Sequence, residues 1–181
     1  MPQNNEVQVL DLVANQEKVK KILDTAYQLQ TLCSELKFNA FQPGAIKELK
    51  MATLLGHNWI LNKALPDACS RSNSNVFYEY LSAKEKGNGQ IDRFFKDGPG
   101  IQHEKYLQSM NRIDRNDCFY LAYTDANPCN PLDILRIYRV STQKIKTETD
   151  RQLQKSKNNI SHIGFDEEFA KENGELVYEK K

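Results

Sequence analysis

Two short stretches, ALPDAC at residues 64–69 and VFYEYLSA at residues 76–83, decide the fold that this sequence predicts. The second stretch alternates β-branched or aromatic residues with others and lies between polar, turn-forming segments, which is typical of a β-strand. Because side chains alternate across a strand, Glu79 shares one face with Phe77 and Leu81. A carboxylate among apolar neighbours is costly unless a charge or a hydrogen-bond donor meets it. The sequence therefore predicts a partner for Glu79.

A second carboxylate, Asp67, stands beside Pro66, where a loop or hairpin can bring it back to Glu79. Two carboxylates that converge repel each other, and a divalent cation removes that repulsion. The pattern therefore favours a metal site. The alternative is that Glu79 faces solvent or pairs with a lysine, while Asp67 only shapes a turn. Glu48 is a candidate supporting acid if its predicted helix lies beside Asp67, and it is otherwise a solvated surface residue.

Composition limits the classes of protein to which the chain can belong. A length of 181 residues predicts a single domain over residues 1–181. The formal net charge of +1 means that any nucleic-acid surface must be a local cluster of Lys and Arg. There is neither a signal-peptide pattern nor a run of about eighteen apolar residues, so we expect a cytoplasmic protein without a membrane partner. We expect free thiols rather than structural zinc at the four cysteines, Cys33, Cys69, Cys118 and Cys129.

Hydrophobic spacing predicts an α+β fold in which helices flank a mixed β-sheet. The N-terminal region, residues 1–40, is helical, with one long helix or two shorter ones over residues 9–37, and is a candidate dimerisation element. Residues 41–140 form the predicted core and residues 141–181 a mixed C-terminal tail. Helices are predicted at 45–55, 103–113, 141–155 and 166–171, and strands at 57–65, 76–83, 117–123, 134–140 and 176–178.

Other sequence motifs for catalysis are absent. The chain has no glycine-rich phosphate loop, no GxSxG elbow and no HExxH pair. The three histidines, His57, His103 and His162, are far apart in sequence, and a lone histidine is more often structural than catalytic. The carboxylates at 67 and 79 therefore carry the chemical interpretation.

The Pro-Asp pair at 66–67, followed by an apolar strand with Glu79, resembles the PD-(D/E)xK nuclease superfamily. In that superfamily an Asp and a Glu hold catalytic magnesium. Over most of its length the chain also resembles PvuII-like type II restriction endonucleases, and the matches are collinear. They comprise residues 41–42 before a helix, the segments 67–68 and 78–82, His103 with its helix, residues 137–140 with Ile145, residues 158–159, Gly174 and residues 177–178.

One position departs from the pattern of the family. The family places a lysine two residues after the Glu, and this chain has Leu81 there. The ammonium could come from elsewhere, the metal-bound water could suffice, or the domain could bind DNA without cutting it. Lys84 is the nearest candidate, but only a bulge at residues 82–83 would turn it to the face of Glu79. Lys63 is the other candidate.

The resemblance implies a restriction-endonuclease-like core and a type II restriction endonuclease that cleaves double-stranded DNA at a short specific sequence. It implies Mg²⁺ as the cofactor, bound by Asp67, Glu79 and the main-chain carbonyl of Tyr80, with Asp67, Glu79 and Lys84 as the catalytic residues. A palindromic target would require a homodimer joined through the N-terminal helix. The candidate DNA-binding residues are Lys86, Asn88, Gln90, Arg93 and His103.

Two other interpretations remain open at this point. The chain could be a sequence-specific DNA-binding protein on a nuclease fold, in which Leu81 marks the loss of cleavage. It could instead be an unrelated cytosolic α+β interaction domain in which Asp67 and Glu79 are structural. In that case the five candidate DNA-binding residues are ordinary solvated side chains.

Overall fold

The computed structural model describes residues 12–127, 130 and 132–181. Contacts divide the chain into two units, one ending at Ala45 and the other running from Ile46 to Lys181. The predicted core and the predicted tail therefore belong to the same unit. Strands from the tail pair with strands of the core, which is why the two cannot be separated.

The first unit is built on helix α1 (Gln16–Glu35), so the N-terminal region has one helix rather than two. Residues 9–11 of the predicted helical span lie outside the described residues. Beyond the helix, Lys37 adopts a φ of 63°, and the N–H of Phe38 donates to the carbonyl of Cys33 at 3.1 Å. This is the Schellman arrangement that commonly closes a helix.

The second unit contains a mixed sheet, with six strands among the described residues. They are β1 (Asn58–Trp59), β2 (Ala68–Cys69), β3 (Phe77–Lys84), β5 (Cys118–Thr124), β6 (Ile134–Ser141) and β8 (Gly174–Glu179). Their order across the sheet is β1-β2-β3-β5-β6-β8. Strands β3 and β5 are parallel and the other neighbours are antiparallel. Every residue of β5 is buried, which accounts for its unbroken apolar sequence.

Four helices and a small sheet complete this part of the chain. The small sheet pairs β4 (Gly89–Phe95) with β7 (Ile160–Phe165) in antiparallel fashion. The helices are α2 (Ala45–Leu55), α3 (Ile101–Asp114), α4 (Thr142–Lys155) and α5 (Glu167–Asn173). Their ends follow from local chemistry: α2 stops at Gly56 with a φ of 68°, and the Asp166 side chain accepts from the Phe169 N–H to cap α5.

The two faces of the main sheet carry separate hydrophobic clusters. On one face Leu81 and Tyr123 pack with residues of α3, α4, β4 and β7. On the other face Tyr80 and Ile137 pack with Met51 of α2. Because side chains alternate along β3, Glu79 belongs to the same face as Leu81. The general α+β prediction with a mixed sheet is therefore confirmed.

The predicted strand at 57–65 is wrong beyond Trp59. From Ile60 onward the chain leaves the strand and forms a turn, in which the N–H of Ala64 donates to the side-chain oxygen of Asn62 at 3.0 Å. The N–H of Leu65 also donates to the Asn62 carbonyl at 3.0 Å. An asparagine that satisfies its own backbone in this way competes with strand pairing.

Strand β7 was not predicted, because its sequence lacks a clear alternation of apolar and polar residues. His162 and Gly164 interrupt the pattern, and Ile160 at the start of the strand is exposed. The pairing with β4 therefore stabilises β7 as a strand, although its own sequence lacks a strand pattern. The helix and strand predicted at 166–171 and 176–178 are present as α5 and β8.

Two smaller predictions can be compared with the structure. Cys33, Cys69 and Cys118 are free thiols, as expected, while Cys129 lies outside the described residues. No helix in the described part of the chain has both the length and the apolar composition needed to cross a membrane.

Gly174 is held where β8 meets β6 and α5, and we expect its replacement by alanine to destabilise the second unit. A Cβ there would lie 2.8 Å from the Ala170 carbonyl oxygen and 2.9 Å from that of Arg139. Since neither backbone atom can move alone, Gly174→Ala should lower the free energy of unfolding by about 1–3 kcal/mol in urea denaturation. Gly98→Ala is the control, because its Cβ would meet only the flexible Gln102 side chain. Equal stability of the two variants would contradict this account.

Candidate active site

The pairing of β2 with β3 brings Asp67 and Glu79 to the same point. The register sets Cys69 opposite Phe77 and Ala68 opposite Tyr78. The ladder ends there, and Asp67 and Glu79 are the next residue on each chain segment, so the antiparallel register directs both side chains toward one face of the sheet. The side chain of Asp67 is 12% exposed and that of Glu79 is 19% exposed. The structure therefore brings together the two carboxylates that the sequence singled out.

Pro66 interrupts the hydrogen-bond ladder at this point. The Ser70 N–H donates to the Val76 carbonyl, so the hydrogen-bonded pairs recur every second residue and the next such position joins Pro66 to Tyr80. Proline has no N–H to donate, so the carbonyl of Tyr80 lacks a ladder donor from this strand. The Tyr80 N–H donates at 2.9 Å to the carboxylate of Asp67 instead. A main-chain oxygen thus lies at the edge of the carboxylate pair.

Glu48 and Lys63 extend the site. The Lys63 ammonium contacts the Glu48 carboxylate and lies 3.9 Å from Oδ1 of Asp67. The indole N–H of Trp59 donates at 3.3 Å to the same Glu48 oxygen. Glu48 comes from α2 and Lys63 from the turn after β1, so two elements deliver this ion pair. The predicted supporting acid therefore does lie beside Asp67, through an intervening lysine.

Arg115, just beyond α3, contacts both Glu79 and the turn that carries Lys63. Its guanidinium lies 3.6 Å from Oε2 of Glu79 and donates at 2.8 Å to the carbonyl of Ala64. Among the described residues, Oε2 of Glu79 and Nε of Arg115 are buried without a hydrogen-bond partner. Glu79 thus has a counter-charge nearby, but one of its oxygens keeps an unfilled acceptor position.

Burial, and in each case the charge of a neighbouring carboxylate, raises the pKa values of both carboxyl groups. Desolvation, followed by the charge of Glu48, raises the pKa of Asp67 to about 6. Desolvation, followed by the charge of Asp67, raises the pKa of Glu79 to about 7, although Arg115 and Arg112 oppose the shift. Raised carboxyl pKa values at a charge cluster are typical of functional sites. Near neutral pH the two carboxyl groups therefore favour a bound proton or a bound cation over full ionisation.

The oxygen donors present suit a small, hard divalent cation. No group of three or more His, Cys, Asp or Glu side chains converges as a ligand set within the described residues. Asp67 and Glu79 can nevertheless supply two carboxylates and Tyr80 a main-chain oxygen, and Mg²⁺ usually keeps several water ligands beside one or two carboxylates. The unfilled oxygen of Glu79 supports this fit.

Lys84 does not reach the carboxylates, which corrects its assignment as the catalytic ammonium. The pairing of β3 with β5 runs without a shift from Tyr78 through Lys84, so there is no bulge to reverse its side chain. Lys84 is exposed and lies on the face opposite Glu79. Lys63 is the ammonium that contacts this cluster.

The five candidate DNA-binding residues lie on several elements, and none of them is hydrogen-bonded or ion-paired to Asp67 or Glu79 among the described contacts. Asn88 and Gln90 line a polar cavity of about 790 Å³ that is also bounded by β7, α4 and α5. Lys86 and Arg93 are exposed and have φ values of 61° and 57°. His103 is exposed on α3, with Nδ1 at 2.7 Å from a carboxylate oxygen of Asp97. These residues are available to a ligand, but the structure does not gather them around Asp67.

Arg112 and Arg115 are the residues of this site that the sequence analysis missed. Arg112 donates at 2.8 Å to the carbonyl of Asp92 and lies over the ring of Phe94. The two arginines are three residues apart, so they lie on one side of the end of α3. This spacing, immediately before the strand that pairs with β3, is a signal that could have indicated them.

Comparison with known proteins gives no independent assignment. No protein-family model matches the chain, and no curated protein shows significant sequence similarity to it. Any functional inference therefore depends on the residues of the site.

We expect the Glu79→Gln variant to be more stable than the wild type in alkaline, metal-free buffer. The raised pKa means that Glu79 favours folding while it is protonated, and that this contribution is lost as the pH rises from about 4 through about 7. Glutamine stays neutral, so the free energy of unfolding of the variant should equal that of the wild type at pH 4 and exceed it by about 2 kcal/mol at pH 8. Urea denaturation with EDTA measures the difference, and Glu104→Gln, at an exposed position, is the control. Parallel stability profiles for wild type and Glu79→Gln would contradict the shift.

Proposed function

We propose that this chain is a Mg²⁺-dependent type II restriction endonuclease that cleaves double-stranded DNA at a short specific sequence. The observation that carries the proposal is the placement of Asp67 opposite Glu79, with an unfilled oxygen on Glu79. The mixed sheet, with its parallel β3–β5 pair beside this site, is a general α+β arrangement. The restriction-endonuclease-like core that the sequence resemblance implies is part of the proposal.

Each residue of the site has a distinct task in this reaction. Asp67, Glu79 and the Tyr80 carbonyl would hold Mg²⁺ beside the scissile phosphate. When bound, the ion lowers the pKa of a coordinated water and offsets negative charge on the phosphate. Arg115 neutralises part of the charge of Glu79. Arg112 adds a second positive charge at the end of α3, on the side from which an anionic backbone can approach.

DNA is a plausible substrate class on chemical grounds even though the net charge is only +1. Contacts to phosphates need local rather than global positive charge. Lys86 and Arg93 are exposed on the β3–β4 turn and on β4, and Gln90 and Asn88 have the paired donors and acceptors that read base edges. His103 completes the set that the family resemblance implies.

A homodimer would match a two-fold symmetric target, and α1 carries the pattern that a helical interface needs. Apolar residues recur at spacings of three and four: Val19, Ile22, Ala26, Leu29 and Cys33 on α1, with Leu36 just beyond its end, and of these Cys33 is already buried within the chain. Ile22 is 65% exposed and Leu29 is 39% exposed. This is the repeat of a coiled-coil seam. We therefore include self-association through α1 in the proposal.

Two competing functions have observations in their favour. Leu81, at the position of the family lysine, favours a protein that binds DNA without cleaving it. The pairing of Glu48 with Lys63 and of Glu79 with Arg115 favours an interaction domain in which these charges are structural. Both alternatives predict that added Mg²⁺ produces no cleavage.

Plasmid cleavage tests the proposal directly. Incubation with Mg²⁺ should yield discrete fragments, and Asp67→Ala should reduce the rate by at least about a hundredfold because it removes a metal ligand. Asp92→Ala is the control, since Asp92 is an exposed carboxylate paired with His162. Circular dichroism verifies that each variant is folded. A shifted band without cleavage would indicate the DNA-binding protein, and neither cleavage nor binding would indicate the interaction domain.

Self-association has its own test. Ile22→Glu introduces a charge into the α1 seam and should shift the protein from dimer to monomer in sedimentation equilibrium. Gln28→Glu places the same charge on an exposed position off the seam and should leave the dimer intact. A wild-type protein that sediments as a monomer would remove α1 as the interface.

A further inference from the structure

We propose that Lys63 supplies the ammonium that contacts the attacking water and the scissile phosphate, and that Glu48 is the positioning residue that holds it there. This inference rests on the proposed nuclease activity and identifies which cation of the chain serves it. It assigns a catalytic role to the turn between β1 and β2.

The turn that carries Lys63 is anchored at both of its flanks. On one flank the Ile60 N–H donates at 2.8 Å to the Asp67 carbonyl, which holds the turn against the metal-ligand strand. On the other, the Arg115 guanidinium donates to the Ala64 carbonyl. Asn62 closes the turn internally. A lysine on a segment so restrained has its ammonium placed by the backbone as well as by its ion pair.

Glu48 directs that ammonium. The Glu48 side chain is 14% exposed and receives both the Lys63 ammonium and the Trp59 indole N–H on one oxygen. An acid occupied in this way is poorly placed to act as a metal ligand itself. It holds Lys63 beside Asp67, at 3.9 Å from Oδ1, where an ammonium can also reach a water or phosphate on the neighbouring ion.

The charges of the cluster favour a phosphodiester once a divalent ion is present. Three carboxylates, those of Glu48, Asp67 and Glu79, lie among three cations, Lys63, Arg115 and Arg112, so their formal charges balance. A divalent cation would give the cluster an excess of positive charge, which attracts the negative charge of a phosphodiester. Loss of Lys63 would remove one unit of that excess, and the loaded site would attract the phosphate less strongly.

In the proposed step Lys63 donates hydrogen bonds and transfers no proton. The oxygen of a water molecule forms a bond to phosphorus while the bond from phosphorus to the leaving sugar oxygen breaks. A proton that derives from the water ends on that sugar oxygen, so one water is consumed for each phosphodiester cut. The ammonium donates hydrogen bonds to the water and to a non-bridging oxygen, which orients the attack and stabilises the growing negative charge.

The other lysines of this region are not placed for the role. Lys84 lies on the opposite face of β3. Lys50 is on α2, as Glu48 is, but its ammonium donates to the main-chain carbonyl of Leu132. Lys50 is therefore a matched control, because it is a lysine of the same neighbourhood that serves a structural contact.

Single-turnover cleavage of plasmid DNA with Mg²⁺ tests the assignment. We expect Lys63→Ala to lower the rate by about 10²- to 10⁴-fold, Lys63→Arg to retain part of it, and Lys50→Ala to stay within about threefold of wild type. Thermal stabilisation by Ca²⁺ should persist in Lys63→Ala, which shows that the ion site survives. If wild type cuts and Lys63→Ala cuts within threefold of it, the assignment of Lys63 is overturned while the nuclease proposal stands. If wild type does not cut, the nuclease proposal itself fails.

A rescue variant separates loss of the ammonium from damage to the turn. Leu81 shares the face of Glu79 but is buried in the apolar cluster, so a lysine there can present its ammonium to the same phosphate only if its side chain extends past that packing. The double variant that combines Leu81→Lys with Lys63→Ala should cleave at least about tenfold faster than Lys63→Ala alone. No rescue by a double variant that folds and is stabilised by Ca²⁺ would count against the assignment. If the double variant unfolds because position 81 is buried, the assignment is tested instead by comparing the cleavage rates of Lys63→Ala and Lys63→Arg.

A double-mutant cycle tests the positioning role of Glu48. Glu48→Gln should slow cleavage about tenfold in the wild-type background and have no further effect once Lys63 is alanine, because Glu48 acts only through that ammonium. Glu48→Asp should retain more activity than Glu48→Gln. Multiplicative losses in the double variant would show that Glu48 acts independently of Lys63 and would overturn its role as a positioning residue.

Discussion

The antiparallel pairing of β2 with β3, which ends one residue before Asp67 and Glu79, is the constraint on which this site depends. Pro66 prevents the regular ladder from continuing past the aspartate, because it has no N–H to donate to Tyr80. The Tyr80 N–H then binds the Asp67 side chain. Main-chain geometry thus fixes one carboxylate, leaves a carbonyl oxygen beside it and places the second carboxylate across from both.

The electrostatics of the cluster follow from this geometry. Desolvation, followed by the charge of Glu48, raises the pKa of Asp67, and desolvation, followed by the charge of Asp67, raises the pKa of Glu79. Lys63 and Arg115 offset part of that negative charge. Arg115 also connects Glu79 to the carbonyl of Ala64, so the same residue that tempers the charge holds the turn that carries Lys63.

The sequence predicts elements whose signal is local and fails where tertiary contacts decide. Helix α2, strand β5 and the alternation of β3 follow from spacing alone, whereas β7 is ordered by its pairing with β4. Within the site, Asp67 and Glu79 were predictable because Pro66 and an apolar strand surround them. Lys63 was a candidate only through its nearness to Pro66 in the sequence, and Arg115 was missed, because the contacts of a turn and of a helix end with a distant strand are set by tertiary packing.

The leucine at position 81 contributes to the packing of the core beside the site. Leu81 is 7% exposed, and its Cβ lies 3.1 Å from where a side chain at Gly89 would begin. The missing Cβ of Gly89 lets β3 and β4 approach closely here, and the leucine keeps the cluster on this face of β3 apolar. A lysine there would need its charged end to reach solvent past that packing. The ammonium that lies beside Asp67 comes from a turn, so its position depends on contacts with Glu48 and Arg115 rather than on the regular geometry of a strand.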